Sequence, residues 1–511
     1  MRQGVFVLAA GVALAAPVHR GRATVFNPKV TTDTSVDCTS RETILRDIIN
    51  PGMTDEQKAV AVWRFVRSRI YHYAHIDRQP LRQLNVYGYA LCGTQAHVTQ
   101  WLLKGVFGDR NTRGAGPSGN AANYEEKKRM ATGWLIDSWE AGAKRQKGGG
   151  KLGHSMFEVF YGGRWHFLDV HAGFFVYTGD GSIASLEEIK SDPTLVSWPL
   201  KTSDPFMPCD DGDALFFYRA SGGGGGWGTA IEVQTSMAFD LRRGDAFTRL
   251  FDKLEGKHVD AGKVYGGWSK EYLAPGPRHV CHGGKDASWQ HYGNGILEYA
   301  PDLTTDALTD GLVASENVAF SATSAPALHP ADPAKPMSFT LRTSLPYALI
   351  DFSVEAQVHS GAAPVTVTLA AGRETKPLWT ATPGRQTLAL TDVNIAGQYA
   401  YDLTFTFPPG KPGEKVGLDG LRMKTICQLN YFALPRLVQG KNRVRVTFDQ
   451  KAETKGRLKV TWHWVEAQGA RTDARLVDRS GTEYDLTVGP VITEPKDNPK
   501  SMRSIRMEVL P

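Results

Sequence analysis

Past residue 336 the chain loses helical periodicity and settles into short runs in which apolar and polar residues alternate. SFTLRTSLPYALIDFSVEAQV, VTVTLA, QTLALTDV, YAYDLTFTF, NRVRVTF, RLKVTWHWV and SIRMEVL repeat at period two, with turn-forming residues between them. Period two sends successive side chains to opposite faces of a sheet, so each run offers one face to a core and one to water. Runs this short and evenly spaced predict one or two β-sandwiches over residues 337–511. Ahead of them, Pro326, Pro330, Pro333 and Pro336 stand among small residues, which predicts a linker over 322–336. Residues 206–321 predict a β-rich extension punctuated by turns.

The N-terminal part is patterned differently. GHSMFEVFYGGRWHFLDV, Gly153 to Val170, predicts a β-hairpin closed by Gly162-Gly163, a two-residue loop that tolerates positive φ. If Tyr161 pairs with Arg164, Met156 faces Asp169 and His154 faces His171. His154 and Asp169 then share a face as diagonal neighbours, and Phe157, Val159, Leu168 and Val170 supply the buried face. An imidazole oriented by a carboxylate needs only a thiol or hydroxyl to form a nucleophilic triad.

Cys92 is the candidate for that third group. Thr54 and Gln57 have capping-box spacing, and Ala59, Val62, Trp63, Val66 and Ile70 form a helical stripe, so a helix is predicted over 55–70. A second helix is predicted from about Gly93 to Lys104, which puts Cys92 at its start. Unpaired backbone N–H groups there favour a thiolate and can serve an oxyanion. Gln83, Asn85 and Tyr87 precede Cys92 as further oxyanion candidates, and Glu158 is an additional acid candidate.

This order of DEQKAVAVWRFVRSRIYHY, ALCGTQAHVTQWLL and GHSMFEVFYGGRWHFLDV resembles the transglutaminase-like superfamily, which includes transglutaminases, peptidases, amidases and peptide N-glycanases. The resemblance covers roughly residues 54–170. It implies an α+β fold: an N-terminal papain/transglutaminase-like core, followed by the all-β sandwich region. It also implies roles: Cys92 as nucleophile, His154 as general base and acid, Asp169 as orienter. The domain order is then a signal peptide at 1–16, the core at 17–205, the β-rich extension, the linker and the sandwich region. Two departures stand out. Ala90 occupies a position where the family commonly has glycine, and the segment between Cys92 and His154 is long. Within it, Asn123 to Gln146 predicts an amphipathic helix, either a lid over the cleft or a solvated decoration. The C-terminal region resembles, in general pattern only, carbohydrate-binding or galactose-binding-like sandwich modules of secreted bacterial enzymes.

Composition narrows the remaining options. A net charge of +6 over 511 residues, with no dense basic stripe, argues against nucleic acid as a partner. The basic start, the apolar run Val5 to Ala15 and Ala13-Leu14-Ala15 predict an export signal, hence a secreted or periplasmic protein. No stretch is long enough to span a bilayer, so no membrane insertion is expected. In an oxidising compartment Cys38, Cys209, Cys281 and Cys427 can form at most two bridges if Cys92 is kept for chemistry, although Cys427 also suits a buried thiol. The glycines at 222–226 lack the sequel of a phosphate cradle. Asp210-Asp211-Gly212-Asp213 lacks the later glutamate of a calcium loop. His279, Cys281, His282 and His291 match no common zinc spacing, so neither cofactor nor metal is expected.

The main functional expectation is a cysteine-dependent amidase, peptidase or acyltransferase working through a thioester, on a protein or peptide amide. The alternative is a polysaccharide-degrading enzyme, such as a uronate lyase with His and Tyr as base and acid, or a non-catalytic glycan-binding protein. Export, the β-rich half and the aromatic stretch Trp268 to Tyr299 motivate it.

Overall fold

The computed structural model describes residues 24–72, 77–90, 92–117, 155–170, 175–192, 195, 221–222, 235–259, 292–450, 456–491 and 501–510. The export signal, the helix expected at 123–146, His154, His171, Cys209 and the His279–His291 cluster lie outside them.

The described residues begin with strand β1 (Val25–Thr32), followed by helix α1 (Arg41–Ile48). Helix α2 (Asp55–Arg67) starts at the predicted capping box, with Thr54 Oγ1 accepting from Gln57 N and Gln57 Oε1 accepting from Thr54 N. It buries the expected stripe of Ala59, Val62, Trp63 and Val66. Helix α3 (Cys92–Phe107) follows and packs against α2 and α1. The hairpin strands β2 (Met156–Tyr161) and β3 (Arg164–Leu168) complete this layer, whose core joins Trp63, Val66, Val98 and Leu102 to Phe157, Val159 and Leu168.

The rest of the described chain is β. Strands β4 (Asp245–Leu250), β5 (Gly293–Tyr299), β6 (Ala348–Ser360), β7 (Gly417–Leu429), β8 (Gly440–Asp449), β9 (Arg457–Glu466) and β10 (Met502–Leu510) carry the main framework. Among the described residues, a ten-stranded sheet runs through β7, β5, β4, β10 and β9, with β6 on the other edge of β7. A five-stranded sheet containing Met337–Ser344 and Ala400–Phe407 packs on it, stacking Tyr401 on Phe352 of β6, while Phe339 and Phe405 stack as cross-strand neighbours within the smaller sheet. Burial alternates along these strands as the period-two runs predict: Val444 and Val446 face in from β8 while Arg443 and Arg445 face out.

The α+β expectation does not hold. Strands dominate the described chain, and the N-terminal part is no free-standing papain/transglutaminase-like core. Its first strand, β1, pairs antiparallel with β8, more than 400 residues away. The extended alternation of the sheets, rather than three local motifs, sets the architecture. The proline-rich stretch is also engaged with the sheet, since Leu328–Pro330 pairs with Val318–Phe320 and Leu328 pairs with Leu418.

The two layers are tied together. Asn430, at the end of β7, donates from Nδ2 to the carbonyls of Leu84 and Arg69, and its N–H donates to Asn85 O. Gly88 has φ +68° beside it, and a Cβ there would stand 2.8 Å from the Asn430 side chain, so no larger residue fits without a shift. Tyr87 shares a 2.7 Å hydroxyl–hydroxyl contact with Tyr399. No helix among the described residues is long and apolar enough to cross a membrane.

Candidate functional site

The hairpin pairs as its sequence predicts. Tyr161 faces Arg164, Val159 faces His166 and Phe157 faces Leu168, with Gly162 and Gly163 both at positive φ in the loop. The same register leads Asp169 to a place opposite Met156. Helix α2 clamps this end of the hairpin: Trp63 Nε1 donates to Asp169 O at 3.0 Å and Arg67 Nη1 to Val170 O at 3.1 Å. Asp169 is 1% exposed.

The other arm of the hairpin begins at the start of α3. A Cβ on Gly93 would lie 3.2 Å from Ser155 Oγ, so Ser155 sits against the residue that follows Cys92. Cys92 itself is half-buried at the helix N-terminus. The structure therefore brings Cys92, the chain immediately after His154, and Asp169 to one end of the hairpin.

Other expected participants are committed elsewhere. Glu158 is buried and held by Arg113 at 2.7 Å, and it accepts from Leu186 N, so it is an ion-paired structural group. Gln83 donates to Asp77 O, Asn85 to Cys38 O and Leu81 O, and Tyr87 contacts Tyr399. All three lie buried in a π-helical turn, Gln83–Tyr87. Cys38, Cys92 and Cys427 are thiols rather than half-cystines. Burial pushes the Cys38 thiol up to about 11 and also raises that of Cys427.

A second site was not singled out by sequence reasoning. On the face of the large sheet turned away from the core, a groove of about 920 Å³ runs across β6, β7, β5 and β10, walled by Arg243 and the 302–307 loop. Cross-strand pairs set its floor: Glu355 opposite Arg422, Ser353 opposite Lys424, and Glu298 on the other side of Lys424. Arg506 is tied to Glu298 at 2.5 Å, and Arg243 to Asp306 and Asp310 at 2.9 and 2.6 Å. Among the described residues, exposed Arg422, Lys424 and Glu355 have no ion-pair partner. The signal for this site was the alternation LRMKT in β7, which buries Leu421 and Met423 and turns Arg422 and Lys424 outward.

No family model and no curated protein matches the chain. Among solved structures, it is similar to a Paenibacillus xanthan lyase, with 11% identity, 39% of this chain and 24% of that chain covered, and a TM-score of 0.14. It is also similar to a β-glucuronidase from Ruminococcus gnavus in complex with D-glucuronic acid, with 11% identity, 38% and 40% coverage and a TM-score of 0.14. The same enzyme with uronic deoxynojirimycin gives 12% identity, 42% and 45% coverage and a TM-score of 0.14. The chain thus spans less than half the length of each. At that TM-score no residue role is carried over. The transglutaminase-like resemblance is overturned: no such family model matches, and the described fold is mostly β.

Proposed function

We propose that this chain is an exported, glycan-directed protein whose β body holds a carbohydrate chain along the sheet-face groove. The groove's floor carries the reading. A sugar hydroxyl donates one hydrogen bond and accepts others, so a face that alternates carboxylates with guanidinium and ammonium groups can serve both roles of each hydroxyl. Arg422, Lys424 and Glu355 are exposed, stand on hydrogen-bonded strands and have no ion-pair partner among the described residues, so they are available to a ligand at a reduced ordering cost. The polar residues around them suit a polyol better than an apolar peptide. Degradation of a bound glycan there would draw on carboxylates such as Glu298 and Glu355 as acid and base, because the described lining contains no histidine and Tyr299 is 2% exposed.

The test is binding and turnover against a panel of soluble neutral and uronate-containing polysaccharides. The Arg422→Ala/Lys424→Ala double variant should bind at least about tenfold more weakly, the loss of one or more charge-assisted hydrogen bonds. Unaltered affinity in that variant would refute the groove as the binding site. Bond cleavage with an unsaturated-sugar absorbance would assign elimination, and new reducing ends without it would assign hydrolysis.

A second reading, thiol chemistry at the start of α3, rests on the closeness of Ser155, the residue after His154, to the helix start that carries half-buried Cys92. The Cys92 thiolate would add to an acyl carbon, His154 would protonate the departing group, and the thioester would pass its acyl group to water or an amine. Asp169 would orient His154. Iodoacetamide should label half-buried Cys92 well ahead of Cys38 and Cys427, and Cys92→Ala should abolish acyl turnover while leaving glycan affinity intact. Labelling of Cys92 no faster than that of the two buried thiols would count decisively against this reading.

A further inference from the structure

The seam between the helical layer and the β body encloses a small cavity of about 40 Å³, lined by Arg249, Tyr347, Asn85, Cys38, Asp37 and Leu434 among others. Arg249 comes from β4, where its register places it between Ile505 of β10 and Gly295 of β5. It is 8% exposed, and its Nε–H is buried without an acceptor among the described residues. Among the described residues its Nη2 reaches the Met507 sulfur, at 3.8 Å, a weak acceptor, and the neutral Tyr347 hydroxyl is its other polar neighbour.

A guanidinium stays charged inside a protein, so burial cannot be relieved by losing the proton. Such a group is buried at heavy cost unless an anion accompanies it. None of the described carboxylates lies within ion-pair distance of Arg249. Asp37 also lines the cavity, but its Oδ1 is occupied by the Thr39 N–H and hydroxyl at 3.0 and 2.6 Å. Positive charge accumulates on the far side of Cys38 as well. Arg69 Nε and Arg436 Nη2 are buried without acceptors, and burial, with the Arg69 charge next, pushes Arg436 down to about 10.

We infer that this cavity is a site for one small inorganic anion of chloride size, held by the Arg249 guanidinium and the Tyr347 hydroxyl. Water satisfies hydrogen bonds but supplies no countercharge. A cavity of about 40 Å³ takes a few water-sized particles at most, which suits a monatomic anion better than one with four oxygens. The ion would act as the missing countercharge at the seam, so its affinity would add to the stability of the folded chain.

The experiment is a thermal melt of the full chain against chloride, with ionic strength held constant by gluconate, together with anomalous diffraction from crystals grown in bromide. Chloride should raise the Tm saturably by several degrees, Arg249→Met should erase that dependence, and a bromide peak should appear beside Arg249. A flat wild-type response, a chloride response retained in Arg249→Met, or no bromide peak at this position would overturn the assignment. Should Arg249→Met fail to fold, Tyr347→Phe carries the test: a chloride midpoint shifted severalfold upward supports the site, and an unchanged midpoint rejects it.

Discussion

The helical layer and the sheet-face groove were built by opposite rules. Around Cys92, each part is specified within a few residues: a capping box starts α2, a diglycine turns the hairpin, and a helix opens at the cysteine. The groove gathers Arg243, Glu298, Glu355, Arg422, Lys424 and Arg506 from strands spread over more than 260 residues. A locally encoded site can be read from order and spacing. A site assembled across a sheet cannot, because its neighbours are fixed only when strands choose their partners.

Two further perturbations sharpen this contrast. The larger is Trp63→Ala. Trp63 is 6% exposed, packs edge-on against Phe175 and ties α2 to the hairpin at Asp169. Its loss should cost about 3–5 kcal/mol in denaturant unfolding. If the layers are energetically distinct, the first-melting fraction should shift while the glycan affinity of the folded protein holds. A uniform shift of one cooperative transition would instead make the two layers a single unit.

The smaller effect lies in the β body and depends on pH. Glu466 accepts hydrogen bonds from Gly489 N, Trp464 Nε1 and Arg471, which hold its carboxyl down at about 2. A carboxyl lowered in the folded state contributes stability above the ordinary carboxylate range, near 4.5, and loses it as pH falls towards 2. Glu466→Gln should therefore be less stable than the parent at pH 6, with the gap closing between about pH 4.5 and 2 in urea melts. A gap that stays constant with pH would mean that packing, not ionisation, sets the value of this group.

The sequence disclosed the strand-rich C-terminal half, α2 with its cap, α3 beginning at Cys92 and the register of the hairpin. Each rests on a short-range rule that tertiary contacts did not override. It misled on the fold as a whole, since helix, cysteine and hairpin in a given order are compatible with more than one architecture. The alternation in VFNPKVTT, Val25–Thr32, identifies a strand only weakly and says nothing of β8 as its partner. Arg249 was equally silent: one arginine in DAFTRL has the look of a solvent-facing residue until β10 and β5 flank it on both sides.

The pairing of β1 with β8 has a consequence for biosynthesis. Val25 and Phe26 meet Leu241 and Asp240, whereas Val30 meets Val446 and Thr32 meets Val444, so the longer of the strand's two pairings waits for residues more than 400 positions downstream. During that interval the edge of β1 that will meet β8 faces solvent or other chains. An edge left open over so long a stretch of synthesis is exposed to mispairing with other chains until β8 arrives.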